Sequence, residues 1–180
     1  MEIKPPILLV TPRLLLRAAR LEDARLLFID YTGNDDAARY LQRKAHPSQD
    51  KTEAVIRAWG EDHWSSNNRF MWSILSRVDE RPIGLFMMFL EKNSAEIHYG
   101  LGSAFWGHGL ATEAGTAVMN WILRLSGLSE VWTCCAAEHA ASLRVLEKIG
   151  LSRNALLPQA LLLASSGMRV DAWRYSWTRS

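Results

Sequence analysis

The sequence predicts a mixed α/β (α+β) fold, with strands and helices in one chain of 180 residues. Apolar side chains occupy every second position of residues 95–101, which is the period of a strand. In residues 110–125 they recur every three or four positions, which is the period of one helix face. A nearly continuous apolar run at residues 83–90 is typical of a strand that is covered on both faces.

The N-terminal part predicts one strand followed by helices. Residues 10–17 read as the strand, and a helix starts at Glu22. Residues 31–36 form a turn that leads into a short helix, and residues 48–64 form a further helix. The remaining elements alternate: we expect strands at residues 71–78, 83–90, 95–101, 131–136, from 151 onward and 170–177, a hairpin turn at 79–82, and helices at 110–125 and 140–149.

Composition and charge narrow the class of protein. Apolar residues make up 48% of the chain and charged residues 22%, a balance that argues against disorder. The net charge of +2 is too small and too scattered to predict nucleic-acid binding. No apolar run approaches the roughly 20 residues that cross a bilayer, and the proline-interrupted N-terminus is unlike a signal peptide. We therefore expect no nucleic-acid partner and no membrane segment.

The two cysteines indicate the compartment. Cys134 and Cys135 are adjacent in a predicted strand, so their side chains point to opposite faces. This arrangement excludes a disulfide framework and favours the reducing cytoplasm. The chain has no internal repeat, linker or low-complexity tract, and we therefore expect a single domain over residues 1–180.

A glycine loop joins the strand at 95–101 to the following helix. Gly107 and Gly109 bracket His108 there, and Gly127 is expected to cap the end of the helix. Glycines let the backbone approach a ligand closely, and the free N–H groups of a helix start attract an anion. The spacing is not that of a P-loop, because no Gly-Lys-Ser/Thr follows the last glycine. It is not G-x-G-x-x-G either, because Thr112 stands at the third glycine position. The pattern predicts a phosphate-binding loop of another kind.

Two segments carry a family resemblance. Residues 106–114 read Trp-Gly-His-Gly-Leu-Ala-Thr-Glu-Ala, and residues 138–150 read EHAASLRVLEKIG. Together they resemble the acetyl-CoA-binding core of the GNAT N-acyltransferases, and most closely the branch of the ribosomal-protein N-terminal alanine acetyltransferases. The pattern departs from that branch at His139, where Asn is customary, and at Leu151, where Phe is customary.

The resemblance implies a fold and an activity. The fold would be a twisted, mostly antiparallel sheet of six or seven strands, with helices on both faces and a central, splayed pair of parallel strands. The activity would be direct transfer of an acetyl group from acetyl-CoA to a primary amine, without a metal. A covalent acyl-enzyme has no support, because Cys134 and Cys135 lack a nucleophile-and-base arrangement. His98, His108 and His139 have no partner at metal-ligand spacing.

The resemblance also implies cofactor-binding residues. Main-chain amides would hold the diphosphate of acetyl-CoA, and the N–H of Leu101 would bond the pantetheine or the acetyl oxygen. Trp106 either lines the cofactor groove or packs as a core aromatic beneath the loop. His108 either adds charge near a phosphate or faces solvent, and His139 would contact the pantetheine. The full expected set is Leu101, Trp106, Gly107, His108, Gly109, Leu110, Ala111, Thr112, His139 and Ser142.

Three residues are candidates for proton transfer. Glu96 is the preferred base, acting through water, with a surface carboxylate of no function as the alternative. His98 shares a face with Glu96 and is either a second base or part of the pocket wall. Ser142 would protonate the leaving thiolate, or alternatively cap its helix.

The acceptor and the assembly stay open at the level of sequence. A protein N-terminal amine is favoured over a small-molecule amine such as a polyamine, an amino acid or an aminoglycoside. Asp35 and Asp36 would either start a short helix or attract a cationic acceptor. Two other classes remain: a CoA-binding module without turnover, and an interaction protein whose apolar loop at residues 156–164 forms a homodimer or partner surface.

Overall fold

The computed structural model describes residues 5–61, 64, 68–125 and 127–179. Its strands are β1 (Leu8–Val10), β2 (Leu14–Ala18), β3 (Arg69–Ser76), β4 (Pro82–Glu91), β5 (Ser94–Leu101), β6 (Glu130–Ala136), β7 (Ser152–Leu162) and β8 (Arg169–Thr178). Its α-helices are α1 (Ala24–Leu27), α2 (Asp35–Ala38), α3 (Gln49–Trp59), α4 (Leu110–Ile122) and α5 (Ala140–Lys148). A 3₁₀ turn (Leu21–Asp23) precedes α1, a π turn (Phe28–Thr32) follows it, and a second 3₁₀ turn (Ser103–Phe105) follows β5. Within these ranges, no helix is long and apolar enough to cross a membrane.

The described strands form one sheet in the order β1-β2-β3-β4-β5-β6-β8-β7. All neighbours are antiparallel except β5 and β6, which confirms the predicted α/β class and the mostly antiparallel sheet. The sheet has eight strands instead of six or seven, because the strand expected at residues 10–17 is two strands. Thr11 makes the turn between them: its N–H donates to the carbonyl of Leu14 (2.9 Å), and its Oγ accepts from the N–H of Leu14 (2.9 Å).

The parallel pair diverges, as the resemblance implied. β5 and β6 are in register only at Ser94 with Glu130, at Ala95 with Val131 and at Glu96 with Trp132. Both strands continue beyond this point, but β5 pairs only with β4 and β6 only with β8. The facing edges of β5 and β6 therefore enclose a wedge-shaped gap, which we call the splay.

Apolar side chains fill a core on each face of the sheet. The larger core lies on the face covered by α4 and α5, where Ile97, Val118 and Leu146 are buried. The second lies on the opposite face, where Leu27 of α1 and Ile56 of α3 are buried. Helices therefore cover both faces, as predicted. Full burial of one such side chain stabilises a fold by about 1.5–3 kcal/mol, so the two cores hold the strands that border the splay.

Two helices end earlier than the sequence predicts. α3 ends at Trp59 and not at Trp64, because Gly60 turns to extended backbone. Residues 62 and 63 of the expected helix lie outside the described residues. α4 ends at Ile122, well before Gly127, where the chain tightens to three-residue bonds: the N–H of Arg124 donates to the carbonyl of Trp121 (3.1 Å) and that of Leu125 to Ile122 (2.9 Å). The Arg179 guanidinium then binds the segment after the helix through the carbonyls of Leu123, Leu125 and Leu128.

The sequence suggested that the apolar segment at residues 156–164 is a loop, but the structure shows that it is not. Most of it belongs to β7, an edge strand of the described sheet, with a bulge at 158–160 opposite Asp171. Asp171 holds this bulge through the N–H of Gln159 (2.9 Å). Leu156 and Leu162 remain exposed, so a role of this strand in a homodimer stays a prediction, which light scattering can test.

A buried ion pair fixes the start of the first helix. Asp23 is 3% exposed and accepts from the guanidinium of Arg17 (2.7 and 3.0 Å), from the Oγ of Ser73 (2.6 Å) and from the N–H of Arg20 (3.0 Å). These contacts join β2, β3 and the 3₁₀ turn. The pair is satisfied by several hydrogen bonds, so removal of one partner leaves a half-buried charge unpaired.

We predict that Asp23→Ala lowers the free energy of unfolding by about 3–5 kcal/mol, because Arg17 loses its buried partner. Urea denaturation measures the change. Glu22→Ala is the matched control: Glu22 also faces Arg17 but is 68% exposed, so the change should stay within about 0.5 kcal/mol. Equal losses for the two variants would contradict the assignment of Asp23 as a buried anchor.

Candidate active site

The glycine loop leaves its amides uncommitted at the start of α4. Gly107 and Gly109 have φ of +79° and +74°, in the left-handed region that favours glycine. The first hydrogen bond of α4 runs from the N–H of Glu113 to the carbonyl of Gly109 (3.0 Å). Among the described residues, no acceptor faces the amides of residues 107–112. This helix start can therefore receive an anion.

A tether that the sequence analysis missed holds this loop in place. Glu113, in the first turn of α4, accepts from the Oγ of Thr11 (2.6 Å) and from the N–H and Nε of Arg13 (2.8 and 2.7 Å). Arg13 also donates from Nη1 to the carbonyl of His108 (2.9 Å). Burial opposes ionisation of Glu113, but the hydrogen bonds from Thr11 and Arg13 outweigh it and lower the pKa of this carboxyl. The β1–β2 turn thus anchors the loop.

Trp106 connects the loop to the end of β5. It is 49% exposed, so it is not a core aromatic beneath the loop, which was one of its two expected roles. Its indole N–H donates to the carbonyl of Leu101 (2.8 Å). The side chain of His108 is exposed. Whether Trp106 and His108 contact the cofactor stays a prediction.

The amide of Leu101 faces the splay. The next amide, of Gly102, donates to the carbonyl of Ile83 in β4 (2.9 Å). Successive residues of a strand direct their N–H groups to opposite edges, so the N–H of Leu101 points away from β4. On that side the pairing with β6 has already ended at Glu96.

Ser142 and Tyr99 form a contact on the α5 side of the splay. Ser142 is the third residue of α5, and its Oγ lies 2.9 Å from the Oη of Tyr99. Ser142 does not cap α5, because His139 is the N-cap residue and the serine hydroxyl is directed at Tyr99. Burial raises the pKa of Tyr99 well above its ordinary value, so the phenol is protonated at neutral pH. Burial also raises the pKa of the Cys135 thiol.

His139 links the start of α5 to residues 39–41, which follow α2. Its ring stacks on that of Tyr40, with centroids 4.4 Å apart. Burial lowers the pKa of His139, which favours the neutral imidazole. The turn between β7 and β8 meets the same segment: the N–H of Ala164 donates to the carbonyl of Leu41 (3.1 Å), and the Oγ of Ser165 to that of Arg39 (3.1 Å).

Glu96 and His98 form a pair on the opposite face of β5 from Tyr99, as the period of the strand predicted. The Nε2 of His98 lies 2.9 Å from the Oε1 of Glu96. Both side chains are partly exposed, 30% for Glu96 and 38% for His98. The His98 ring also packs against Phe89, with centroids 5.4 Å apart. A carboxylate beside an imidazole can accept a proton from an amine that enters on this face.

The expected site residues therefore fall into three groups around the splay. The loop amides lie at the start of α4, Tyr99 and Ser142 lie on the α5 side, and Glu96 and His98 lie on the other face.

Asn34, and neither Asp35 nor Asp36, caps α2, since its Oδ1 accepts from the N–H of Ala37 (3.0 Å). Among the residues that the structure describes, no three metal-ligating side chains are close enough to hold an ion.

A known protein family matches most of the chain. The model of the acetyltransferase (GNAT) domain matches residues 13–152. The chain belongs to the GNAT acetyltransferases. This family membership confirms the resemblance read from residues 106–114 and 138–150 and identifies the chain as an N-acyltransferase. That the domain extends over all of residues 1–180 remains a prediction.

Curated relatives match nearly the full length of this GNAT chain. It is 27% identical over 172 residues to the uncharacterized N-acetyltransferase YoaA of Bacillus subtilis (strain 168), covering 94% of this chain and 95% of that protein. It is 26% identical over 172 residues to the uncharacterized N-acetyltransferase p20 of Bacillus licheniformis, covering 93% and 94%.

Solved structures share the fold. RimL, a ribosomal L7/L12 alpha-N-protein acetyltransferase solved in complex with coenzyme A, superposes with a TM-score of 0.82 at 22% identity, covering 98% of each chain. MccE, a microcin C7 self-immunity acetyltransferase solved with acetyl-CoA and AMP, superposes with a TM-score of 0.83 at 17% identity, covering 94% of each chain. At these identities the superpositions show the fold alone.

A buried histidine, His46, holds the π turn and the start of α3 together. The Nδ1 of His46 lies 2.9 Å from the Oγ of Thr52, which lies 2.7 Å from the Oγ of Thr32, and Thr32 donates to the carbonyl of Leu27. Because the hydroxyl of Thr32 is used by Leu27, Thr52 donates to Thr32 and His46 donates from Nδ1. Burial, with help from Arg43 and Lys51, lowers the pKa of His46 to about 4.

This depressed pKa predicts a loss of stability in mild acid. The unfolded histidine takes up a proton near pH 6.5 and the folded one only near pH 4, so the unfolded state binds more protons in this window. The free energy of unfolding should fall by about 1–2 kcal/mol between pH 7 and pH 5 through this residue. His46→Gln should flatten the pH dependence, measured by denaturant titration, and His108→Gln should not. An unchanged slope in His46→Gln would contradict the prediction.

Proposed function

We propose that this chain transfers the acetyl group of acetyl-CoA directly to a primary amine, and that the acceptor is the N-terminal amine of a protein. The observation that carries the proposal is the set of uncommitted amides at residues 107–112, next to the open edge of β5. A helix start of this kind binds a diphosphate, and an unpaired strand edge can bond the amides of a pantetheine arm.

The donor site would be built mainly from main chain. Gly107 and Gly109 leave their amides accessible, and the partial positive charge of the α4 start favours phosphate oxygens. Arg13 keeps the loop in this conformation through His108 and Glu113. The N–H of Leu101 would donate to the pantetheine or to the developing oxyanion of the thioester. His139, Trp106 and Ser142 would complete the walls of this site.

The acceptor amine would enter on the face of Glu96 and His98. A primary ammonium is protonated at neutral pH, so attack on the thioester requires a proton acceptor. Glu96 would accept this proton, directly or through water, and its contact orients the ring of His98. His98 would line the pocket or share the proton. The new C–N bond forms as the C–S bond of the thioester breaks.

The departing thiolate would receive a proton from Ser142. The phenol of Tyr99 stays protonated and lies within hydrogen-bond distance of the serine oxygen. The phenol donates its hydrogen to the carbonyl of Ser142 (3.1 Å), so Tyr99 positions the serine, whose own hydroxyl hydrogen would turn from the Oη of Tyr99 to the sulfur. Tyr99 is therefore proposed as a positioning residue for Ser142.

Relatives point to two kinds of acceptor. RimL is described as an alpha-N-protein acetyltransferase of ribosomal L7/L12, and this similarity favours a protein N-terminus. MccE was solved with acetyl-CoA and AMP, which favours a small-molecule amine as the alternative. Thiol release from acetyl-CoA, measured against N-terminal peptides, polyamines, amino acids and aminoglycosides, distinguishes them. Acetyl-CoA binding without thiol release for every acceptor would favour a binding module instead.

Binding of acetyl-CoA should raise the melting temperature by roughly 5–10 °C at 100 times its Kd. Gly109→Glu should abolish this shift, because it places a negative charge in the anion site. Gly167→Glu is the matched control, since Gly167 also has a left-handed φ (+72°) but lies in the β7–β8 turn. A shift retained in Gly109→Glu, or absent from the wild type at millimolar acetyl-CoA, would contradict the proposed donor site.

Replacement of the proposed base should slow catalysis without weakening donor binding. Glu96→Gln should lower kcat by about 10²–10⁴-fold, because the amide cannot accept the amine proton, and should leave the KM for acetyl-CoA unchanged. Glu130→Gln, on the neighbouring strand, is the control and should keep kcat within a few-fold. If Glu96→Gln turned over at the wild-type rate, the base would have to be a different group.

A further inference from the structure

The π turn places one tyrosine against the open end of β5. In the turn Phe28–Thr32 the N–H of Gly33 donates to the carbonyl of Phe28 (3.0 Å), a bond that spans five residues. π turns are rare and are often found at functional sites, because they re-aim a side chain. Here the turn directs Tyr31 into the second core, beside Leu85.

Gly100 of β5 makes room for this tyrosine. A Cβ at Gly100 would collide with the hydroxyl of Tyr31 and would lie 2.6 Å from its Cζ. The hydroxyl therefore lies over the face of β5 between Tyr99 and Leu101. Gly100 shares its face of β5 with Glu96 and His98, by the period of two. Tyr31 thus reaches the proposed acceptor side, roughly 7 Å along the strand from His98.

The hydroxyl of Tyr31 is an unused donor. Tyr31 is only 6% exposed, yet within the described part of the chain its hydroxyl makes no hydrogen bond. The oxygen is also not among the fully enclosed unpartnered atoms, so it is partly accessible. A buried tyrosine normally pairs its hydroxyl, and phenylalanine would fill the same space without the desolvation cost. The hydroxyl at this position indicates a ligand.

Arg43 adds a second unused donor at the same place. Its guanidinium carbon lies 5.1 Å over the Tyr31 ring, and its Nη1 donates to the carbonyls of Thr32 and Lys44 (both 3.2 Å). Its Nη2 is enclosed and has no acceptor among the described residues, where no carboxylate pairs with Arg43. Because this nitrogen is enclosed, a ligand does not reach it directly. Arg43 instead places its positive charge over the Tyr31 ring, which favours an oxygen acceptor at the unpaired hydroxyl.

The charge of the surrounding segment narrows the class of acceptor molecule that would carry this oxygen. Residues 39–44 read Arg-Tyr-Leu-Gln-Arg-Lys, so Arg39 and Lys44 add positive charge beside Arg43. Asp35 and Asp36 precede these residues, so residues 35–44 carry three cations and two carboxylates, a net charge of +1. The extra cations of a polyamine or an aminoglycoside therefore gain nothing beside this segment. An amine with a carbonyl or carboxylate on the next carbon brings one cation, for Glu96, and one oxygen acceptor, for Tyr31.

We propose that Tyr31 is a specificity-determining residue whose hydroxyl binds the carbonyl or carboxylate oxygen on the carbon next to the reacting amine, with Arg43 as the positioning residue that supplies positive charge beside it. This inference rests on the proposed acetyl transfer and names its substrate class. The class is the α-amino compounds, which a free amino acid and a peptide N-terminus both represent. The two sources share the oxygen but differ in charge, because only the free amino acid presents a carboxylate there.

The test measures thiol release at saturating acetyl-CoA with four acceptors: alanine, an alanine-initiated tripeptide, ethylamine and spermidine. Wild-type kcat/KM for alanine or for the tripeptide should exceed that for ethylamine by about 100-fold or more, and spermidine should be no better than ethylamine. The better of alanine and the tripeptide identifies the source of the oxygen.

Two variants assign the selectivity to the residues. Tyr31→Phe should lower kcat/KM about 10–100-fold for the oxygen-bearing acceptors, mainly through KM, and leave ethylamine unchanged. Its melting temperature and its acetyl-CoA-induced shift should match the wild type, because the lost hydroxyl has no partner in the fold. Arg43→Gln should affect alanine more than the tripeptide, since it removes a positive charge.

Three results would overturn this inference but not the proposed acetyl transfer. They are an equal loss of kcat/KM for ethylamine and the tripeptide in Tyr31→Phe, no loss for either acceptor, and a preference of the wild type for spermidine. Absence of thiol release by the wild type with every acceptor would overturn the proposed function, and this inference with it.

Discussion

The early end of the pairing between β5 and β6 governs the whole site. A strand that loses its neighbour exposes main-chain donors and acceptors, which need other partners. β5 tolerates the loss because β4 pairs with it as far as Leu101, and β6 because β8 pairs with it as far as Ala136. The two strands remain extended and separate, and the gap between them is lined by backbone that can bind a ligand.

The alternation of side chains along β5 places the polar side chains of the splay on two opposite faces of the strand. Tyr99 points to the face of α5 and meets Ser142, whereas Glu96 and His98 point to the other face. A proton donor for a leaving thiolate and a proton acceptor for an amine can therefore stand on opposite faces of one strand. Gly100 lies on the same face as Glu96 and His98 but has no side chain. Tyr31 of the π turn packs in the space that a side chain there would occupy.

The sequence predicted the parts of the structure that depend on local pattern. The loop after β5, most strands and the divergence of the parallel pair could be expected, because glycine spacing, periodicity and family motif lie within short segments. Contacts between distant segments could not be expected. Arg13 reaches Glu113 across 100 residues and Arg179 binds the segment after α4, while Tyr31 depends on a π turn that leaves no simple periodic signal. The roles of the site residues remain predictions.

The central claim is that the amides of residues 107–112 bind the diphosphate of acetyl-CoA. Backbone amide NMR during titration with acetyl-CoA tests it most directly, since it reports each N–H separately. We expect large shifts and slower hydrogen exchange for these amides, with little change at Gly167 in the β7–β8 turn. Saturable binding that left the amides of residues 107–112 unperturbed would contradict it.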